Sequence, residues 1–204
     1  VSLDVWNSIP VIAEPNSIFA YENLYYNRIG DEEVEVIFSI PDESEYAGDI
    51  TIPAKVNHNG ELCNVTAISN NAFYYCKELT GIVIPEGVES IGNKAFYLCR
   101  SLEDVNIPSS VSNIGAYAFG SCGLRRAVIP DGIETIKEWT FGNCTRLREV
   151  SLPEGLKTIE SGAFYNSGLT TIFIPASVQY IGTWAFSECN MDRMVMEGEV
   201  PPFV

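Results

Sequence analysis

A repeat of 22 to 23 residues runs through most of this 204-residue chain and limits what it can fold into. Ile-Pro or Leu-Pro recurs with successive prolines 23, 22, 23 and 22 residues apart, and a phenylalanine follows each proline by 11 residues. The repeat residues are Pro85, Pro108, Pro130, Pro153 and Pro175, and Phe73, Phe96, Phe119, Phe141, Phe164 and Phe186. A unit this short buries its apolar face only against neighbouring units, so the sequence predicts a repeat solenoid.

Each unit also carries the alternation of a short strand that ends at its proline. Val105 and Ile107 are apolar, whereas Asp104 and Asn106 are polar. Pro108 ends the strand because proline has no N–H to donate to a neighbouring strand. We therefore expect a right-handed coil with a parallel β-sheet on one face and short turns or helical turns on the other.

The run IPEGVESIGNKAFYLCRSL, residues 84–102, resembles the BspA-type leucine-rich repeat family of bacterial surface and secreted proteins, such as those of Bacteroides. The resemblance covers about residues 47–197, where the pattern V-x-x-I-x-x-x-A-F and its conservative variants recur six times in phase. It implies a leucine-rich-repeat fold and an adhesion or binding role between host and microbe. It also implies a chain without catalytic residues, whose partner is a host or bacterial surface protein.

Residues 1–46 differ from the repeats and predict an N-terminal cap. The runs Tyr21–Ile29 and Val34–Ile40 are rich in aromatic and β-branched residues and flank a polar loop, which is typical of a β-hairpin. We expect this hairpin to cover the open edge of the first coil.

Residues 47–197 predict the solenoid, with about six coils and a hairpin inserted into the first at 54–64. The turn signal for the insertion is Asn59-Gly60. In the last coil, Met191, Met194 and Met196 are expected to fill the inward positions. Pro201-Pro202 in the tail, residues 198–204, should prevent further strand pairing.

Charge and hydropathy exclude two classes of partner. The chain has 27 acidic and 12 basic residues, a formal net charge of −15, which disfavours binding to nucleic acid and to anionic lipid. No apolar run approaches the roughly 18 residues that a membrane span needs, so we expect no membrane insertion. The chain is expected to be a monomer that is secreted or held at the cell surface, with any signal or lipid anchor already removed.

Five of the six cysteines occupy one position in the repeat, which argues against disulfide pairs. They stand three residues after a repeat phenylalanine, and Ser167 takes this place in the remaining coil. Side chains at one repeat position run parallel, whereas a disulfide needs them to converge. We therefore expect small buried free thiols. The five are Cys76, Cys99, Cys122, Cys144 and Cys189.

The sequence favours neither catalysis nor a cofactor. Its one histidine, His58, lies beside the Asn59-Gly60 turn, where we expect a solvated loop residue. No Cys-x-x-Cys spacing, phosphate-binding glycine loop or G-x-S-x-G motif is present. We expect no metal site.

The outward columns of the strand ladder offer a candidate protein-binding surface. Aligning the coils places Arg125 opposite Glu103, and Arg126 between Asp104 and Glu149, on strands about 4.8 Å apart. These charges could simply compensate one another, since exposed ion pairs contribute little. Alternatively they form a partner-binding patch together with an outward-facing aromatic ring. The patch would contain Glu103, Asp104, Arg125, Arg126, Arg148, Glu149 and Phe173.

A second candidate is an aromatic flank two residues before the repeat phenylalanine. Tyr117, Trp139 and Trp184 share this position, and Gly162 is expected to leave a gap between the two tryptophans. Aromatic faces at such spacing can stack on sugar rings, which makes a glycan-binding module the alternative function. Each indole could instead lie over the neighbouring turn.

Overall fold

The computed structural model describes residues 18–38 and 46–197, and all statements about its fold concern these residues. They form strands without an α-helix, and no segment there is a helix that could cross a membrane. The strands in chain order are β1 (Ile18–Tyr21), β2 (Leu24–Arg28), β3 (Glu33–Ile37), β4 (Gly48–Thr51), β5 (Lys55–His58), β6 (Glu61–Ile68), β7 (Leu79–Val83), β8 (Ser90–Ile91), β9 (Asp104–Asn106), β10 (Asn113–Ile114), β11 (Arg126–Val128), β12 (Thr135–Ile136), β13 (Glu149–Ser151), β14 (Thr158–Ile159), β15 (Thr171–Ile174), β16 (Tyr180–Ile181) and β17 (Arg193–Met196).

The chain is a repeat solenoid with two faces of parallel strands. The first, which we call the ladder face, contains the strands that precede the prolines and the equivalent strand of the last coil. These are β4, β7, β9, β11, β13, β15 and β17. The two-residue strands β8, β10, β12, β14 and β16 pair in parallel on the second. Backbone N–H groups in the turns donate from each coil to the next, as from Phe73 N to Ala95 O at 2.7 Å.

The repeat phenylalanines stack along the interior. The ring centroids of successive members lie 5.0, 5.2, 5.6, 5.5 and 5.3 Å apart, and neighbouring planes differ by only 4° to 6°. The first five rings are fully buried. Inward Val105 and Ile107 are buried beside them, whereas Asp104 and Asn106 are exposed, as the alternation predicts.

The ladder face is interrupted twice, although β17, which also follows a 22-residue coil, stays paired with β15. Its strands fall into the groups β4-β7-β9, β11-β13 and β15-β17. Each break precedes a strand that is entered through a shortened turn, at Gly123 or Gly168. The coils stay adjacent across the first break, because Arg125 N donates to Glu103 O at 3.1 Å.

The N-terminal segment forms a three-stranded meander where we predicted a two-stranded hairpin. β2 and β3 pair antiparallel as expected, but Tyr21 belongs to β1, which folds back on β2 through a tight turn at Glu22 and Asn23. Glu22 has φ of +53°, a conformation that this residue type does not signal. β3 then pairs in parallel with β6, so the meander extends the second face. Residues 39–40 of the predicted strand lie outside the described part.

Tyr46 joins the meander to the phenylalanine stack. Its hydroxyl accepts a hydrogen bond from Tyr25 N at 3.0 Å and donates one to Ile37 O at 3.1 Å. Its ring lies 4.9 Å from that of Phe73. The ring of this buried tyrosine is tilted by 46° from that of Phe73, so it covers the end of the stack and links it to both β2 and β3.

The predicted inserted hairpin is present in the first coil. β5 and β6 pair antiparallel, and Asn59 (φ +55°) and Gly60 (φ +91°) form the turn. His58 is not the solvated loop residue we expected. It lies at the end of β5 and is half-buried, with its ring 4.1 Å from that of Phe19 in β1, a strand that the sequence did not reveal.

The methionines of the last coil are less buried than we expected. Met194 stands in register with buried Ile172, and Met196 with Ile174. However, Met194 is 40% exposed, because no further strand covers β17 within the described residues. Met191 and Met196 are half-buried. Pro201-Pro202 and the tail 198–204 lie outside the described part.

Candidate functional site

The outward columns predicted on the ladder face are present in the strand register. Gly81 stands opposite both Asp49 and Asp104, and Arg126 stands opposite Glu149. One local irregularity occurs at the start, where Gly48 pairs with Leu79 and the register then shifts. A fixed repeat therefore places charged side chains of separate coils side by side.

Glu103 lies at the centre of the ion pairs. Its carboxylate oxygens contact Arg125 Nη2 at 2.9 Å and Arg146 Nη1 at 2.7 Å. These hydrogen bonds and positive charges lower the pKa of Glu103 below its usual value, with Arg125 the largest cause. Aligning the coils did not predict the contact of Arg146 with Glu103. This arginine lies two coils away, and its long side chain crosses the intervening coil.

Arg126 forms only one of the two ion pairs predicted for it. Arg126 Nη2 contacts Asp104 at 3.3 Å, as expected. The second expected ion pair, from Arg126 to Glu149, is not formed in the described structure, although the two residues are in register. Arg148 Nη1 donates to the turn carbonyl of Gly168 at 2.6 Å. Glu149 is therefore available to an incoming group.

These side chains line a shallow depression of about 640 Å³. Its lining residues are Glu103, Asp104, Arg125, Arg126, Arg146, Arg148 and Glu149. The depression combines four guanidinium groups with three carboxylates, although the chain as a whole has a net charge of −15. Four of the seven arginines of the chain thus lie in one place, where they create a local excess of positive charge.

An apolar column runs beside the charged one on the ladder face. Val83 is 53% exposed, Val128 is 64% exposed and Phe173 is 58% exposed. Polar Asn106 and Ser151 occupy the intervening coils of the same column. Phe173 is not part of the depression and lies in the coil that follows it.

The aromatic flank is held in an unusual backbone conformation. All residues two positions before the repeat phenylalanines have φ between 54° and 64°, in the left-handed region. They are Asn71, Lys94, Tyr117, Trp139, Gly162 and Trp184. Only Gly162 and Asn71 indicate this conformation from sequence, because glycine and asparagine adopt it most readily.

The three aromatic residues of this flank do not form a shared platform. The rings of Tyr117 and Trp139 stack 6.0 Å apart and nearly parallel, and Lys94 Nζ lies 5.7 Å from the centre of the Tyr117 ring. The ring centroids of Trp139 and Tyr165 lie 5.0 Å apart. The stacking therefore covers the ring faces of Tyr117 and Trp139 that a sugar would need.

The gap that we expected at Gly162 is filled. A Cβ on Gly162 would lie 2.7 Å from Trp139 Cε2, so the indole lies against this glycine. Trp139 is half-buried, whereas Trp184 is 63% exposed. Trp139 thus covers the neighbouring turn, and Trp184 is the member of the flank with an open ring.

The repeat cysteines are free, as predicted, and all but Cys189 are buried. They also donate hydrogen bonds that the sequence did not suggest. Cys99 Sγ donates to Phe73 O, and Cys122 Sγ to Phe96 O, each at 3.0 Å. Burial raises the pKa of Cys144 to about 12. These thiols are structural groups of low reactivity.

The described residues contain no group of three or more His, Cys, Asp or Glu side chains arranged to hold a metal ion. His58 lies against Phe19 in the meander, away from the depression.

The repeat identifies the family. Residues 66–192 match the BspA type leucine rich repeat region in six copies, which is more than half of the chain. The chain therefore belongs to the BspA-type leucine-rich repeat family. Among curated proteins, none matches the chain.

Solved structures of bacterial leucine-rich repeat proteins share the fold. A leucine rich cell surface protein from Faecalibacterium prausnitzii is 30% identical with a TM-score of 0.69, covering 92% of this chain and 56% of that one. A protein from Bacteroides ovatus is 26% identical with a TM-score of 0.66, covering 86% and 52%. A T. pallidum protein is 25% identical with a TM-score of 0.76, covering 88% and 83%. The chain thus spans only about half the length of the first two.

Proposed function

We propose that this chain is a non-enzymatic binding or adhesion module, secreted or displayed at the cell surface, that uses its ladder face to bind a protein partner. The observation that carries the proposal is the arginine-rich depression beside the exposed Val128 and Phe173. Arginine and aromatic side chains dominate the binding energy of many protein interfaces. The surface placement is supported by the leucine rich cell surface protein of F. prausnitzii.

The proposal predicts a ranking of variants against a verified ligand. We would first identify a ligand from a panel of purified extracellular host and bacterial proteins, and then measure its affinity for each variant. Phe173→Ala should weaken binding by about 1–3 kcal/mol, because it removes an aromatic anchor. Arg126→Glu should mainly slow association and flatten its salt dependence, provided that the partner is acidic there.

Trp184→Ala is the matched control, since it truncates an equally exposed aromatic residue on the other surface. It should leave protein binding unchanged. If the ligand is instead a glycan bound through the aromatic flank, Trp184→Ala should be the damaging change and Phe173→Ala the silent one. Wild-type affinity in all three folded variants would remove both surfaces as binding sites.

A further inference from the structure

We propose that the ladder face takes an extended, acidic, proline-rich segment of its partner, in the polyproline II conformation, lying across the strands along the solenoid axis. This inference rests on the proposed function and specifies the partner's chemistry. It is carried by the spacing of the exposed apolar side chains and by the arginines beside them.

The strongly exposed apolar side chains lie in three alternate coils, and half-buried Val195 follows Phe173 in the last coil. Val83, Val128 and Phe173 are each more than half exposed, and Asn106 and Ser151 separate them in the same outward column. The coils stay adjacent across the two breaks in pairing, since Arg125 N donates to Glu103 O and Gly168 N to Cys144 O. A strand spacing of about 4.8 Å therefore separates successive apolar groups by about 9.6 Å. A ligand that contacts all three needs an apolar group at that interval.

Polyproline II matches this interval better than the other regular conformations. It has three residues per turn and a rise of about 3.1 Å, so every third side chain lies on one edge at about 9.3 Å. An α-helix offers its seventh residue at about 10.5 Å, which accumulates a mismatch of almost 2 Å over the two intervals. A β-strand repeats one face at about 6.8 Å and fits poorly.

Charge supplies the second argument. Arg126 lies two residues before Val128 on the same strand, so its column runs about 6.6 Å from the apolar one. When one edge of a threefold helix contacts the apolar column, the adjacent edge lies over the column of Gly81, Asp104, Arg126, Glu149 and Thr171. The same interval of about 9.3 Å brings its side chains to the coils of Gly81, Arg126 and Thr171, and not to those of Asp104 and Glu149. Acidic side chains on that edge would meet Arg126 and the neighbouring Arg125, which are 66% and 60% exposed. The rest of this acidic chain would repel them.

Synthetic peptides test the proposal directly. The probe is a fluorescein-labelled peptide of four Leu-Pro-Glu units, in which leucine recurs at every third residue and proline favours the extended conformation. One control peptide has the same composition in shuffled order, and another is an alanine-rich helix with leucine at every seventh residue and the same net charge. Binding is measured by fluorescence anisotropy at low and high salt.

We expect the repeat peptide to bind at least about tenfold more tightly than either control. Val128→Asn, which places in this column the residue already present at Asn106, should weaken its binding at least about fivefold. Trp184→Ala should have no effect, and both variants must keep the wild-type melting temperature. Added salt should weaken binding, because the arginine contacts are exposed.

Equal binding of the repeat and shuffled peptides, or tighter binding of the helix, would overturn the proposal. So would failure of all three peptides to bind. If a verified protein ligand still loses affinity with Phe173→Ala in that case, the proposed function stands and only the conformation inferred for the partner is wrong.

Discussion

At the residue scale, the thiols of the repeat make a prediction about redox state. The sequence and the structure agree that these cysteines are free, and burial holds the pKa of Cys144 at about 12, so few thiolates form near neutral pH. Alkylation under denaturing, non-reducing conditions should therefore modify all six cysteines in the intact-mass spectrum. In the native protein Cys189, which is half-buried, should react before the four buried repeat thiols. A product that lacks two modifications because of a disulfide would contradict this prediction.

Two buried tyrosines in the cap region predict opposite effects of losing a hydroxyl. Tyr26 is fully buried, and within the described structure its hydroxyl has no hydrogen-bond partner. Tyr26→Phe should raise the free energy of unfolding by about 1 kcal/mol, because it removes an unsatisfied polar group. Tyr46→Phe is the control and should lower it by about 1–2 kcal/mol, because Tyr25 N and Ile37 O lose a partner. Urea denaturation measures both. A loss of stability in both variants would show that the Tyr26 hydroxyl is bonded.

Residue types alone could not locate every contact of the site. The ion pairs of Arg125 and Arg126 could be predicted because they join adjacent coils at fixed register. The contact of Arg146 with Glu103 could not, since its geometry depends on a side-chain conformation that spans two coils. Similarly, Arg148 donates to the backbone carbonyl of a turn. Aligning residue types in columns cannot predict such a contact, because it does not depend on a charged side chain in the next coil.

At the element scale, the turns of the flank predict a specific role for Gly162. It has φ of +64°, and an added Cβ would lie 2.7 Å from Trp139 Cε2. Gly162→Ala should therefore lower the free energy of unfolding by about 1–3 kcal/mol and displace the indole. Thermal denaturation measures the first effect, and a red shift of tryptophan fluorescence reports the second.

Gly155→Ala provides the matched control for this change. A Cβ there meets only Asp131 O at 3.8 Å, and the residue does not have a positive φ. The free energy of unfolding of the Gly155→Ala variant should differ from that of the wild type by less than about 0.5 kcal/mol. Equal stability of the two alanine variants would mean that Trp139 does not depend on the glycine.

The strands were more predictable than the turns, for a physical reason. Alternating apolar residues and prolines mark each ladder strand, because burial and the missing N–H act locally. In contrast, left-handed residues such as Lys94, Tyr117 and Trp139 carry no sequence signal of their φ. Packing between coils and inter-coil hydrogen bonds hold them there, so their conformation is a property of the array. The tight turn at Glu22 also has a positive φ without a sequence signal, and for this reason β1 was not predicted.

At the scale of the whole molecule, the solenoid should depend on its N-terminal cap. β3 covers the edge of β6, with Val34 and Val36 fully buried, and Tyr46 bonds to the backbone of the meander. Stability in a repeat array is roughly a sum of interfaces between neighbours, so an uncovered end exposes apolar surface. Deleting residues 1–45 should lower the melting temperature and produce aggregation through the exposed edge of β6.

Differential scanning fluorimetry and light scattering would measure these two effects of the deletion. A truncated chain that stays monomeric with an unchanged melting temperature would show that residues 1–45 are not a cap.

The alternation of 23-residue and 22-residue coils also bears on how such an array can lengthen. Val83, Val128 and Phe173 stand 45 residues apart, as do Trp139 and Trp184. Gly123 and Gly168, at two of the shortened turns, have the same separation. These surface features therefore repeat with a period of two coils. A duplication of 45 residues would add one apolar group and one ladder break in the correct phase, whereas insertion of a single coil would shift every later position by half a period. Natural length variants that keep the surface pattern should thus differ by coil pairs.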